Sequence, residues 1–452
     1  MAFYVQQFFY HLGFWFSWLL IPIVVEIIPA IHGVWVIRRS EKKRVAMTKP
    51  IRKWPMLSVV LPVHNSGSTL YQCIDSINAS NYPKHLIQII NVNNKSTDNS
   101  FDVYKQAKLD FPDLRMQWMN TDQGKARALN AAIFNCTGQY VINLDTDGFL
   151  EPEALRNLVL YFENNPDIDA ATGTVLTQKQ VVENTKNKWL KLLRDNEYFE
   201  YAQAFLVGRS IENHWNQLFT LSGAFSAFRR NALTQTFMYN VETVSEDTEM
   251  TFQLRFRFSK RIGFAVNSIF YVDSISGCDE LYLQRQRWQR GELEVIQKFM
   301  HDRLNLRQFF SNFIISRLMI DHTFIFPRLA WAVGLLVLLY FGYSPLVILM
   351  SILTLYVLYV VYGLINYASA IRLLQDFPEE RHYLRRKWWV AFTMPCYNAL
   401  NTLIRFIGIL NTVTKQASWQ TDHFKDELTE IKKVLYSDLK ITKRRKKQID
   451  GK

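Results

Sequence analysis

The chain has 452 residues, 49% hydrophobic and 14% aromatic, with a formal net charge of +13; that leaves room for one globular domain of about 250 residues and several membrane spans. Cys73, Cys136, Cys278 and Cys396 stand far apart with no Cys-x-x-Cys pair, which argues against a disulfide framework or a zinc site and fits a reducing cytosolic face. The basic residues cluster beside apolar runs, so the charge is read as setting topology and meeting anionic lipid, with no nucleic-acid partner.

Residues 1–50 read as one transmembrane helix with a basic flank. Met1 to Val25 carries no charge, and after Glu26 the apolar run resumes to Ile37, ending in Arg38, Arg39, Lys42, Lys43 and Arg44. The basic end belongs inside. The run is too long, and too poor in N-terminal positive charge, for a cleaved signal peptide. Glu26 is costly against lipid and is expected to face protein or water.

Residues 51–305 read as a polar domain. Short apolar runs alternate with helical patterns: "LSVVLPV", a helix from about Ser68, "LIQIINV", a helix from Ser100, "RMQWMN", a helix from Lys125, and "YVINLD". Strands separated by single helices imply right-handed βαβ units and a mainly parallel sheet. Ligands of such sheets bind at the carboxyl ends of the strands. Directly after "YVINL" come Asp145-Thr146-Asp147-Gly148. Two carboxylates two residues apart at a strand end can hold a divalent cation, whose open positions suit diphosphate oxygens.

Further along, "QRQRW" (Gln284 to Trp288) packs two arginines, two glutamines and an indole just ahead of the apolar half of the chain. By residue type alone it could be a snorkelling helix end against lipid headgroups.

Residues 306–414 carry the second apolar region. From Leu329 to Ile371 there are 43 residues without a charge, interrupted by Gly342-Tyr343-Ser344-Pro345, which predicts a transmembrane hairpin over about 329–371 with a tight outer turn. Arg372, Arg381, Arg385, Arg386 and Lys387 then mark the return to the cytosol. A further helix over 388–412 is long enough to cross, yet holds Asn398, Asn401 and Arg405. Crossing would export the tail 415–452 with its run Lys443 to Lys447, so an interfacial helix is the preferred expectation.

Taken in order, "VVLPVHN", "NNKSTD", "GKARALNAAI", "NLDTDG", "SGAFSAFRR", "SEDTE" and "QRQRW" resemble the membrane-embedded family 2 glycosyltransferases, the group of the hyaluronan, cellulose and poly-N-acetylglucosamine synthases. The resemblance covers about Leu57 to Trp288, and seven ordered motifs are far more specific than any one. It implies an α/β GT-A-like (Rossmann-like) cytosolic domain plus an α-helical transmembrane region, in a multi-pass protein of the cell membrane. It also implies Asp145 and Asp147 as ligands of Mg²⁺ or Mn²⁺, Asp247 as catalytic base and Glu246 as its aid. Lys125, Asp145 and Arg287 would meet the nucleotide-sugar, with Arg287 neutralising the leaving diphosphate and Gln284 and Trp288 contacting the acceptor. Residue type agrees: a positive charge at a helix start, as at Lys125, is unfavourable without an anion, a guanidinium suits phosphate, and an indole face suits a pyranose. Trp419 and Thr421 resemble a loop that closes over the nucleotide in hyaluronan synthases; an interfacial anchor is the other reading of Trp419.

The chain departs from that pattern at Asn93-Asn94, where the family usually carries an acidic pair, and only Asp98 of that motif remains. Reading of the nucleobase is therefore in doubt at this loop. The expected activity is inverting transfer from a nucleotide-sugar, a UDP-sugar by resemblance, to a growing polysaccharide. Alternatives are single transfer to a lipid carrier, with a glycolipid acceptor, and a silent subunit of an export complex. With few spans, a complete channel would call for a homo-oligomer or an accessory export subunit.

Overall fold

The computed structural model describes residues 22–45, 51, 53–300, 334 and 337–414. The start of the first span, most of the hairpin's first arm, and the tail with Trp419 and Thr421 lie outside the described residues.

The polar domain is built on an eight-stranded sheet in the order β3-β2-β1-β4-β7-β6-β8-β5. Its strands are β1 (Leu57–Val63), β2 (Ile87–Asn94), β3 (Arg115–Thr121), β4 (Tyr140–Leu144), β5 (Gly148–Leu150), β6 (Ala170–Thr177), β7 (Phe225–Arg229) and β8 (Ile262–Val272). Three helices link the first four strands: α2 (Leu70–Asn78), α3 (Ser100–Asp110) and α4 (Lys125–Ile133), after an N-terminal α1 (Ile28–Val45). Each lies where the sequence pattern places it. β1 pairs in parallel with β2 and β4, and β2 with β3.

Beyond β4 the expectation of a mainly parallel sheet is corrected. β7 runs antiparallel to β4 and β6, and β5 antiparallel to β8, leaving only the β6–β8 pairing parallel in that half. The sheet is mixed. The βαβ rhythm that implies parallel pairing covers only the first four strands, and the later strands arrive by irregular connections that need not preserve direction.

Both faces of the sheet are covered. Leu57, Val59 and Leu61 of β1 belong to one core and Val60 to another, as do Tyr140 and Ile142 of β4 against Val141. That explains why these strands read as continuous apolar runs instead of alternating. The helix α5 (Ala154–Asn164) closes one face through Leu155, Leu158, Val159 and Phe162, the i, i+3, i+4, i+7 stripe of an amphipathic helix.

Six later helices matter for the site and the helical region: α6 (Lys188–Tyr201), α7 (Glu246–Phe252), α8 (Cys278–Met300) and, after the apolar turn, α9 (Pro345–Leu373), followed by α10 (Pro378–Arg386) and α11 (Val390–Thr414). Among the described residues α9 is the one helix long and apolar enough to cross a membrane. The expected turn is present: Gly342 at φ +80° ends the preceding helical turn, with Gly342 N–H bonding Leu339 O and Tyr343 N–H bonding Leu338 O. This is the Schellman closure that glycine permits, and Pro345 opens the next helix.

Glu26 faces protein, its Oε1 accepting from the Tyr359 hydroxyl at 3.4 Å. A third core joins the polar domain to the helical region, with Tyr198, Tyr271 and Tyr282 packed among Leu373, Tyr383, Val390, Met394 and Tyr397. The polar residues of α11 have partners there. Arg405 Nε donates to Gln289 Oε1 at 2.7 Å, and Asn401 Nδ2 to Glu200 Oε1 at 3.3 Å.

Candidate functional site

The carboxyl ends of β1, β2 and β4 open on one side of the sheet, and the loops that leave them are tied together. Asp145 N–H bonds Ala224 O at 3.1 Å at the start of β7, and the Thr146 and Ser66 hydroxyls share a hydrogen bond of 2.6 Å. The Asp145–Asp147 loop is thus braced from two neighbours.

Lys125 lies at the centre of the site. Its Nζ is 2.5 Å from Asp145 Oδ1, 3.6 Å from Glu246 Oε1, and donates to Gly223 O at 3.3 Å. Gly223 also donates its N–H to Asp247 Oδ2 at 2.9 Å. A Cβ at Gly223 would lie 3.0 Å from Asp247 Oδ2 and 3.4 Å from Lys125 Nζ. Glycine is needed there because lysine and carboxylate both close on its backbone. The other Asp247 oxygen accepts from Thr248 N–H at 2.7 Å and Ser245 Oγ at 3.1 Å. Four residues singled out from sequence, Lys125, Asp145, Glu246 and Asp247, therefore form one cluster. Gly223 joins them, and only its place in the "SGAFSAFRR" motif points to it.

Charge in the cluster is uneven. Burial works against the Lys125 ammonium, but Asp145, Glu246 and Asp247 more than offset it and hold its pKa above the ordinary lysine range. Glu246, 7% exposed, is raised by burial and by Asp247, with Lys125 opposing. Asp147 keeps an exposed outer edge, yet crowding by protein atoms and then the Asp145 charge push it up to about 6. A carboxylate so placed carries excess negative charge beyond what Lys125 neutralises. Among the described residues no group of three or more His, Cys, Asp or Glu is set to hold a metal. Asp145 and Asp147 fit a hard cation that takes its remaining ligands from water and a bound diphosphate.

The asparagine pair is engaged in its own loops. Asn93 Oδ1 accepts from Ser96 N–H at 2.9 Å and its Nδ2 donates to Asn120 Oδ1 at 3.0 Å. Asn94 Oδ1 accepts from Gly124 N–H at 2.5 Å, fixing the residue before Lys125, where φ is +133°. Asp98 takes Gly67 N–H at 2.8 Å and Ser100 N–H at 3.1 Å, and with Ser100 Oγ these bonds help hold its carboxyl below the ordinary range although burial opposes them. The asparagines brace turns and Asp98 ties the β1 loop to the start of α3.

"QRQRW" lies inside α8, not at a helix end. Arg285 of that stretch and Arg290 just after it are 4% and 7% exposed, so neither lies against lipid headgroups. Arg285 pairs with Glu200 at 2.5 Å, donates to Gln284 Oε1 at 2.6 Å and lies 4.3 Å from the centroid of the Trp288 ring. It wedges the indole in place from beneath. Phe205 meets the same ring edge-on at 5.8 Å, and Gln284 Nε2 reaches the Tyr201 hydroxyl at 3.5 Å. Arg287 is exposed. One turn further, Gly291 packs so closely on Ser245 that a Cβ would come within 2.5 Å of the serine's own. The helix carrying Arg287 and Trp288 therefore presses on Ser245, the residue before α7, which carries Asp247. Glu197, fully buried nearby, is pushed up to about 8, chiefly by burial, with Arg285 opposing.

Comparison with known proteins agrees with this geometry. Residues 58–237 match the model of the family described as Glycosyl transferase family 2. A poly-beta-1,6-N-acetyl-D-glucosamine synthase of Staphylococcus epidermidis is 26% identical over 243 residues, 53% of this chain and 55% of that protein. The probable glycosyltransferase YdaM of Bacillus subtilis is 23% identical over 289 residues, 62% of this chain and 66% of that protein. The alignment to the synthase spans about half the length of each protein. In fold, the mannosyltransferase PcManGT from Pyrobaculum calidifontis, solved with GDP-Man and Mn²⁺, superposes with a TM-score of 0.56 at 16% identity, covering 80% of this chain and 99% of that one. The mixed sheet is thus of the GT-A kind, and the part of the polar domain over residues 58–237 is similar to the family 2 glycosyltransferases.

Proposed function

We propose that the chain transfers a sugar from a nucleoside diphosphate donor, with inversion, to a growing polysaccharide at the membrane, its polar domain on the cytosolic side. The observation that carries this is Gly223, whose carbonyl holds Lys125 and whose N–H holds Asp247. Through it a phosphate-binding cation and a proton acceptor sit one residue apart in space. Both are demanded by displacement of a diphosphate by a sugar hydroxyl.

Asp247, its two oxygens oriented by Gly223, Ser245 and Thr248, takes the proton of the acceptor hydroxyl. Glu246 keeps Lys125 turned toward Asp145, so that when the donor arrives the ammonium passes from carboxylate to phosphate. A divalent cation held by Asp145 and Asp147 would supply charge neutralisation to the departing diphosphate. Arg287, exposed on the acceptor side, adds a guanidinium to the same anion. Trp288, wedged by Arg285, offers its free face to a pyranose ring.

The polymer reading leans on the relatives' named product, which puts N-acetylglucosamine first among donor sugars to try. The test is to incubate the purified chain in lipid with a panel of radiolabelled nucleotide sugars and to size the product. A long product supports polymer extension. A single sugar on lipid would replace it with transfer to a carrier, and no transfer from any donor would leave the silent-subunit alternative.

A further inference from the structure

The cytosolic end of α9 forms a second site. Tyr359 of α9 bonds Glu26, two residues before α1, and Arg372 of α9 lines one cavity with Arg38 of α1, so the two meeting points lie thirteen residues apart in α9 and twelve along the N-terminal helical segment. The two helices therefore run parallel and stay in step over about 18 Å. Where they end against α10 they enclose a cavity of about 290 Å³.

Its walls are mixed. Val34 and Ile37 of α1 and Ala368 and Ile371 of α9 form the apolar part, while Arg38, Arg372 and Arg381 form the basic part. Arg38 and Arg372 come directly after the last apolar residue that each helix gives to the lining, Ile37 and Ile371. Arg381 of α10 closes the cytosolic side, and its Nε is buried with no hydrogen-bond partner among the described residues. Of the acids near it in sequence, Asp376 accepts from Asn267, and Glu379 and Glu380 pair with Lys179. On the outer face of α1, Arg39 stacks on exposed Trp35 at 5.3 Å, a combination suited to the headgroup level.

We propose that this cavity binds the phosphate headgroup of an anionic membrane lipid. The phosphate lies among the three guanidinium groups, and the first carbons of the acyl chains lie along Val34, Ala368 and Ile371. Three arginines lining one cavity suit a phosphate, whose oxygens each guanidinium can take in pairs. The apolar wall of Val34, Ile37, Ala368 and Ile371 beside them favours a lipid over free phosphate. Occupancy would pin α10 to the two spans and satisfy the buried Arg381 Nε.

The inference rests on reading α9 as a span, and the experiment separates the two. The full chain is placed in phosphatidylcholine nanodiscs with and without phosphatidylglycerol, and its thermal midpoint and retained lipid are measured by tryptophan fluorescence and native mass spectrometry. Failure to enter the discs would sink the span reading and the site with it. Entry without a preference for phosphatidylglycerol would sink the site alone. The wild type is expected to rise in midpoint with phosphatidylglycerol and to retain it. Joint substitution Arg38→Gln and Arg381→Gln is expected to weaken that binding about tenfold or more. Arg38→Gln alone, on an exposed helix face, gives the same direction without touching the buried arginine. Arg385→Gln removes an equal charge outside the cavity and should keep the gain; if it erased the gain equally, the effect would be diffuse electrostatics and the site overturned. An equal midpoint rise from inorganic phosphate in pure phosphatidylcholine discs would also overturn a lipid site.

Discussion

The proposed donor and acceptor sides of the cleft are held by different means. On the donor side, the ends of β1, β2 and β4 carry loops whose polar side chains satisfy backbone N–H groups: Asn93 to Ser96, Asn94 to Gly124, Asp98 to Gly67. On the acceptor side, Trp288 stands on the buried Arg285, which is ion-paired with the half-buried Glu200. A loop-held site adapts to a ligand that comes and goes. A core-held site keeps one geometry, because disturbing a buried charge pair costs the whole fold.

The strongest way to break this contrast is Arg285→Met. It leaves Glu200 without its cation, so unfolding stability should fall by about 3–5 kcal/mol, read as a drop in the chemical denaturation midpoint. If stability held and only transfer fell, the acceptor side would be no more core-held than the donor side. Asp247→Asn comes next: transfer should fall by a factor of about 10² or more while nucleotide binding by titration calorimetry survives. Both Asp247 oxygens accept backbone N–H bonds, so the amide sets a donor against one of them and the side chain will rotate. Near-normal turnover would remove Asp247 from the role of base.

Asp147→Ala sharpens the donor side. It should weaken nucleotide-sugar binding about tenfold and abolish its response to Mg²⁺ or Mn²⁺, whereas Trp288→Ala leaves donor affinity intact and slows transfer to the acceptor. Equal loss of donor affinity in both would merge the two sides. A smaller effect belongs to Glu197. Its carboxyl titrates near 8 in the fold against an ordinary 4.5, so the folded state holds a proton that the unfolded chain gives up. That stabilisation is complete below about 4.5 and is lost as pH rises through about 8. Glu197→Gln should flatten the fall of thermal midpoint with pH across that window, and an unchanged slope would place its origin elsewhere. Least is expected of Asn93→Asp. The carbonyl that caps Ser96 is kept as a carboxylate oxygen, so the ratio of UDP to CDP affinity in competition titration should stay as in the wild type. A sharpened preference for UDP would mean that Asn93 reads the base after all.

The donor side was the legible one. Lys125, Asp145 and Asp147 each adjoin an element with a clear periodic pattern, so spacing alone puts the two aspartates at a strand end and Lys125 at a helix start, and Glu246 and Asp247 join them through the ordered motifs. Arg285 shows the limit. An arginine beside a tryptophan near an apolar segment has the composition of a lipid-facing helix end, and its burial depends on Glu200 and Tyr397, which are distant in sequence. The mixed half of the sheet escaped for a similar reason, since strand direction after β4 is set by long connections with no repeating pattern. Asn94 had a local role, bracing Gly124, that a linear reading could not separate from contact with a nucleobase.

The bonds from α11 to Gln289 and Glu200, with those of Tyr397 to Glu200 and Lys387 to Asp195, bear on how this protein can be dissected. A fragment cut near residue 305 to obtain a soluble enzyme would follow the boundary visible in the sequence but not the one drawn by the contacts. It would expose the tyrosines of the shared core and strip Glu200 and Asp195 of partners supplied from beyond the cut. The autonomous folding unit therefore includes helices Pro378–Arg386 and Val390–Thr414, and a truncation that keeps them has to carry the apolar helix Pro345–Leu373 along.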